Sequence, residues 1–306
     1  MKKQITLTRA TLTLAASMLI TACSDDASLT ASQKLMADPI EVTITSLDDL
    51  TTLFDKYQYN DQSWEKGDLE IPRITFEGVD ERWAEGSKTL PVETKKSVFF
   101  RLMAPLALVA NEKVRHERKM IKSSPLDSPQ LKKIALKYRL IKETTTDLNE
   151  TLRKKLLTKV DTLPPSLILA QAAEESGWAT SRFTQEGNAF FGQWDFTGKG
   201  MKPLAQREEL GDYGVARFDS PLASVEGYLF NINTNNAFKK LRILRADLRS
   251  KNKAITGIKL AGTLDKYSER GQDYIDGLRA MIRYNKLEPF DQAYLSDNKL
   301  IHLITD

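Results

Sequence analysis

One cysteine, Cys23, and two histidines, His116 and His302, are all that 306 residues hold of the most reactive side chains. A lone thiol closes no disulfide within the chain, so no disulfide framework underlies the fold. Two histidines are too few for a His-rich zinc site. A GxSxG elbow and a P-loop are missing as well. The apolar run from Leu12 to Ile20 is too short to span a bilayer, which needs roughly 20 apolar residues. Hydrolytic chemistry, if present, falls to carboxylates and tyrosines. The rest of the composition is ordinary: 41% hydrophobic and 28% charged residues describe a globular chain, not a disordered one. Its length suits one large domain or two ordinary ones.

The opening "MKKQITLTRATLTLAASMLITAC" places Lys2, Lys3 and Arg9 before the apolar run, the layout of a secretory signal peptide. Leu19-Ile20-Thr21-Ala22-Cys23 resembles the lipobox of bacterial lipoproteins. That resemblance implies cleavage before Cys23, lipid on its thiol and amine, and attachment to a membrane. A plain signal peptide with an unrelated cysteine is the alternative. Removing residues 1–22 takes away those three cations and no acid, so the formal +4 becomes +1. A nearly neutral mature chain gives no electrostatic reason to bind nucleic acid. Residues 24–38 are small and polar, a flexible tether. In the lipoproteins this segment resembles, a serine such as Ser24 after the lipidated cysteine implies export to the outer membrane, facing the periplasm, in a Gram-negative cell.

Four further segments organise the chain. Residues 39–90 form an accessory segment, with Ser46 capping a helix through Leu50, Leu53, Phe54 and Tyr57, then an irregular stretch from Asp61 to Leu90. Residues 91–160 are helical. The first helix carries Val98, Leu102, Leu106 and Val109 as a stripe, Pro105 as a kink, and the charged tail "NEKVRHERKM" as a solvated face. Two shorter helices follow in "LDSPQLKKIALKYRL" and "LNETLRKKLLTKV". In residues 161–290, Pro164-Pro165 opens an apolar helix, a small β-lobe of two or three strands follows, and Ser220-Pro221 starts another helix. Further helices run through Phe238, Leu241, Leu244 and Leu248, and through "GQDYIDGLRAMIRYN". Residues 291–306 are a tail. The expected fold class is α+β and mainly helical, with the β-lobe inserted after the apolar helix.

That helix, "LILAQAAEESGWATSRF", ends with Glu174 and Glu175 side by side. Negative charge at a helix C-terminus opposes the macrodipole. On a helical wheel Glu175 aligns with Ile168, Ala172 and Ala179, while Glu174 falls elsewhere. A carboxyl held against apolar surface has a raised pKa, which lets it keep a proton near neutrality and act as a general acid. Two solvated helix-end residues are the competing explanation. The loop beyond carries Phe190, Phe191 and Trp194, rings suited either to stacking on sugar faces or to core packing. Asn188 suits either an acetamido hydrogen bond or the turn itself.

"LPPSLILAQAAEESGWATSRF", "GNAFFGQW", "VARFDSPLASVEGYLFNINTNNAFKKLR" and "LDKYSERGQDYIDGLRAMIRYN", with a weaker "FFRLMAPLALVANE", occur in that family order in bacterial endo-β-N-acetylglucosaminidases that cut peptidoglycan. Over roughly residues 70–290 the chain resembles this group, its Bax-like branch most, and the group includes the muramidase domain of the flagellar rod protein. The resemblance implies a lysozyme-like fold and hydrolysis of the β-1,4 bond between N-acetylglucosamine and N-acetylmuramic acid in glycan strands, without cofactor or metal. It makes Glu175, just before Ser-Gly-Trp, the catalytic acid and sets Tyr274 in the cleft. A second carboxylate belongs to the β-lobe, where Glu208, Glu209 and Asp212 are candidates. Trp178, Asn188, Phe190, Phe191, Trp194 and Tyr267 form the implied substrate-binding set. "SGWA" replaces the commoner "SGWG". A lytic transglycosylase and a catalytically silent wall-binding lipoprotein are the alternatives.

Overall fold

The structure is a computed structural model that describes residues 38–79, 81–204, 211 and 213–305. Cys23, Glu208, Glu209 and Asp212 lie outside those residues, as do the signal-peptide-like segment and nearly all of the tether.

Helix α1 (Leu47–Lys56) begins as expected: the Asp49 amide donates to Ser46 Oγ and the Ser46 amide to Asp49 Oδ2. The stretch from Asp61 to Leu90 is more ordered than its missing period suggests. It contains α2 (Asp61–Glu65), β2 (Glu70–Ile71), β3 (Ile74–Phe76) and α3 (Glu81–Gly86). With β1 (Ile40–Thr43), strand β3 flanks β7 (Ile301–Ile304) in a parallel sheet of order β1-β7-β3, with Ile40 and Ile74 both registered on Ile301. The last residues are therefore no tail but the centre of a sheet, with Ile301 and Leu303 buried and His302 and Ile304 half-buried between and after them. β2 likewise pairs in parallel with β6 (Tyr294–Leu295).

Helix α4 (Val92–Ser123) is the axis of the molecule. It packs against α5 (Pro129–Lys137), α6 (Glu150–Lys159), α7 (Pro165–Ser176), α9 (Pro221–Thr234) and β3. Every residue from Met103 to Asn111 is buried, so its middle is enclosed on all sides and the expected single stripe is too narrow. Pro105 sits inside the continuous helix. The charged tail is not simply a solvated face. Arg73 grips Glu112 with both guanidinium nitrogens, at 2.6 and 2.9 Å, and Tyr138 donates to Glu117 at 2.5 Å.

Two polar devices fix where α7 starts. The turn before it is tied to α4 through Asn111, which donates to Leu163 O and accepts from Leu163 N. Around Asp161, Arg249 of α10 (Lys239–Ser250) bonds both carboxylate oxygens at 2.6 and 2.8 Å. Arg245, fully buried, donates to the carbonyls of Lys159, Asp161 and Thr162 and to Asn233 Oδ1. Burial pushes its guanidinium down to about 10, and the Asp161 charge opposes that shift. The second device is a borrowed cap. Pro164 offers the helix no side-chain cap, and Asp291 instead accepts from Ser166 N and, with its other oxygen, from Gly257 N.

Gly257 opens α11 (Gly257–Ala261) against that same first turn. A Cβ there would lie 2.2 Å from Ser166 Oγ and 2.8 Å from the backbone N of Leu167. Backbone does not yield, so Gly257→Ala is expected to cost about 1–3 kcal/mol in a urea unfolding curve. An unchanged midpoint would mean that the α7–α11 contact is looser than it stands here.

Candidate active site

Helix α7 is almost wholly buried from Pro165 to Ala173, then delivers its two glutamates at the surface. Their surroundings differ as the wheel predicts. Glu174 is exposed and paired with Arg270 at 2.5 Å. Glu175 is half-buried, and its Oε1 accepts from the Tyr274 hydroxyl at 2.6 Å. Burial raises the Glu175 carboxyl above its ordinary value. The Tyr274 hydrogen bond works against that, the Glu174 charge adds to it, and Arg270 subtracts. The macrodipole conflict at this helix end is thus met by a guanidinium for one carboxylate and a phenol for the other.

Tyr274 lies in α12 (Gln272–Tyr284), is buried, and is oriented by a relay. Tyr228 of α9 donates to Gln171 Oε1 at 2.5 Å, and Gln171 Nε2 donates to the Tyr274 oxygen at 3.0 Å. Gln171 stands one turn before Glu175 on α7. Its amide is spoken for on both sides, which leaves the Tyr274 hydrogen for the carboxylate alone. Burial, then the Glu175 charge, raise the Tyr274 hydroxyl far above its ordinary range, so it stays a donor. Tyr267 stacks on Tyr274 with centroids 5.6 Å apart and planes 4° apart, and donates to Phe191 O.

The helix ends in three consecutive left-handed residues: Gly177, Trp178 and Ala179 have φ of 57°, 61° and 65°. Ala179, expected on the Glu175 face, therefore lies beyond the helix. It is also a position whose backbone favours glycine, so the departure from "SGWG" places a side chain where one is strained. The Ser176 hydroxyl steadies the turn by donating to Ala172 O and accepting from Ala179 N.

Glu175 opens into a groove of about 520 Å³. Gly192, at φ 58°, brings bare backbone to its other oxygen; a Cβ there would sit 3.6 Å from Oε2. Trp194, 51% exposed and stacked on Tyr213, and Phe196, 65% exposed, lie on the groove wall at the β-lobe. Among the described residues that lobe has two strands. β4 (Trp194–Asp195) and β5 (Gly214–Val215) pair antiparallel, with Met201 bridging to Val215. Its described carboxylate, Asp195, is occupied by Thr197 and Lys199 amides and lies outside the groove lining. Among the described residues, Glu175 is the only acid in that lining, and no three His, Cys, Asp or Glu side chains gather as metal ligands.

The structure brings together Glu175, Tyr274, Trp194 and Tyr267, keeps Phe191 at the groove edge, and sends Phe190, Trp178 and Asn188 elsewhere. Phe190 and Phe191 are each 1% exposed, so their rings serve the core; Phe191 stacks on Tyr228 at 4.1 Å and only borders the groove. Trp178 packs edge-on against Phe99 and Phe100 of α4. Asn188 ends α8 (Arg182–Gly187) in the left-handed conformation and donates to Phe218 O, which is the turn role. Gln171 and Tyr228 were missed, since a glutamine in an apolar helix and a tyrosine 57 residues further on give no pairing signal in sequence. Gln193, which lines the groove with a buried amide oxygen that finds no partner among the described residues, was missed too.

The glucosaminidase family, described as mannosyl-glycoprotein endo-beta-N-acetylglucosaminidase, matches residues 152–287, which span α7, the β-lobe and α12. Protein bax of Escherichia coli (strain K12) is 30% identical over 199 residues, covering 63% of this chain and 70% of that protein. No solved structure matches. The α+β, mainly helical domain has the lysozyme-like fold of glucosaminidases, a glycoside-hydrolase type of enzyme. The chain belongs to the Bax-like family of glucosaminidase-domain proteins.

Proposed function

We propose that this chain hydrolyses the β-1,4 bond between N-acetylglucosamine and N-acetylmuramic acid in peptidoglycan, with Glu175 as the proton donor. The observation that carries this is the asymmetry of one carboxyl. Oε1 is held by Tyr274, while Oε2 faces a sugar-sized groove across Gly192. A proton on Oε2 passes to the leaving glycosidic oxygen. The carboxylate left behind is stabilised by the Tyr274 hydrogen bond until water returns the proton. Water activation falls to a β-lobe carboxylate, with Glu208, Glu209 and Asp212 as candidates, or to the substrate's own acetamido group. A carboxyl separation of about 5 Å goes with retention and about 6.5–9.5 Å with inversion. Trp194 and Phe196 supply apolar faces for sugar rings. A lipid anchor on Cys23 would hold the enzyme at the outer membrane, facing the wall in the periplasm.

The test is a peptidoglycan digest, reduced with borohydride and resolved by mass spectrometry. Reduced N-acetylglucosamine ends are expected. Reduced muramic ends would reassign the bond, anhydro-muramic ends would make the enzyme a lytic transglycosylase, and no new ends would favour a silent wall-binding lipoprotein.

Tyr274→Phe gives a signed pH prediction. A general acid is active while protonated, so the rate falls as pH rises through its pKa. The lost phenol favoured the ionised form, and its removal raises the Glu175 pKa further. The basic limb of kcat against pH is expected to move up by about one unit. A downward shift would contradict the assignment.

A further inference from the structure

Arg139 enters the groove from outside the segment that matches the glucosaminidase family. It follows α5, while the match begins at residue 152. Its backbone is left-handed, with φ 54°, a costly conformation for a long side chain. The neighbours hold it there. Tyr138 is buried with its hydroxyl on Glu117, Lys159 Nζ donates to Tyr138 O, and Leu140 N donates to Ala135 O. The Arg139 guanidinium consequently lies over the Phe230 ring, 5.4 Å from its centroid, on the groove wall.

Among the described residues no carboxylate pairs with this guanidinium, and it is the only cation lining the groove. The nearby charge has the same sign: burial first, then Arg242 and Arg139, lower the Lys159 ammonium. Glu226, a nearby acid on α9, is taken by Lys113. The opposite charge in the lining is Glu175, whose proposed role requires it to be protonated. The remaining polar lining is neutral, as in Gln193, Asn231 and Asn235. A guanidinium held on a strained turn, with no carboxylate partner among the described residues, is free to take an anion from the ligand. Phe230 supplies a flat apolar bed that keeps the planar fork extended and open to a bidentate anion.

We propose that Arg139 is a specificity residue that pairs with a carboxylate carried by the glycan strand, so that the helical segment before residue 152 makes the groove selective for acidic strands over neutral ones. This rests on the peptidoglycan substrate proposed above. Two sources offer that carboxylate, the lactyl ether of muramic acid and the stem peptide. They are separable, because the lactyl carboxylate is consumed in an amide bond wherever a stem is attached.

Binding of three tetrasaccharides separates the outcomes: neutral N-acetylglucosamine tetramer, a stem-free strand with free lactyl acids, and a stem-bearing strand. Each is titrated by calorimetry into the full chain, with Glu175→Gln as the background that stops turnover. Adding Arg139→Ala is expected to weaken at least one acidic strand about tenfold and leave the neutral tetramer unchanged. Arg139→Lys is expected to restore most of the loss at low salt. The strand that weakens identifies the source. Equal weakening of neutral and acidic strands would reduce Arg139 to a structural residue, and no weakening of either acidic strand would overturn the proposal. Failure of the wild type to create new sugar ends would reject the hydrolysis itself, while the binding comparison still decides what Arg139 recognises.

Discussion

Glu175→Gln is expected to slow the formation of new sugar ends about 10²- to 10⁴-fold, the range a positioned general acid contributes. It is expected to do so without loss of stability, and this pairing separates a catalytic glutamate from a structural one. Glutamine keeps an oxygen for Tyr274 to donate to, so the relay from Tyr228 through Gln171 survives. It also removes a charge that burial disfavours. The sign follows from linkage. The folded protein holds the Glu175 proton more tightly than the unfolded chain does, so stability falls as pH rises from the unfolded pKa through the folded one. Above that window the ionised side chain is a net cost. At neutral pH the glutamine variant should melt at or above the wild-type Tm, and near pH 4, close to the ordinary glutamate pKa, any advantage should vanish. A variant that loses rate and melts markedly lower would point to a role in folding.

Asp161→Asn is expected to be the most destabilising of the single changes considered, at about 3 kcal/mol. Its carboxylate is 3% exposed, takes both nitrogens of the Arg249 fork, and lies 3.6 Å from Arg118. Arg245, wholly buried beside it, depends on the same charge for compensation. Removing the anion leaves three guanidinium groups converging on a turn with only neutral acceptors. That turn launches α7, so catalysis should fall along with stability. In urea unfolding the midpoint should drop with the slope unchanged. A shift under about 1 kcal/mol would mean that backbone carbonyls alone satisfy the arginines.

Local signals made much of this fold legible. Ser46 and Ser220 announce helix starts through side-chain oxygens, and α5 and α6 fall inside the two segments marked as helical. The separation of Glu174 from Glu175 follows from the helical period alone. Non-local features stayed hidden. β1, β3 and β7 are three or four residues long, and their parallel pairing joins distant parts of the chain, which leaves no hairpin signature. The buried arginines of α10 look like solvated charges in sequence, because nothing marks the carbonyls of Lys159, Asp161 and Thr162 as partners of Arg245, or those of Ile232 and Asn235 as partners of Arg242. The aromatic loop misled for a related reason. Phe190 and Phe191 share composition with a sugar-binding loop, and only packing distinguishes them from Trp194, which remains half exposed.

The most direct measurement is the titration of the Glu175 carboxyl itself, by infrared difference between wild type and Glu175→Gln across pH. A protonated carboxyl band that persists above the ordinary glutamate value of about 4.3, and persists further in Tyr274→Phe, is the predicted result. A midpoint at or below that value would contradict it, because a groove carboxyl that has already lost its proton has none to give to a glycosidic oxygen.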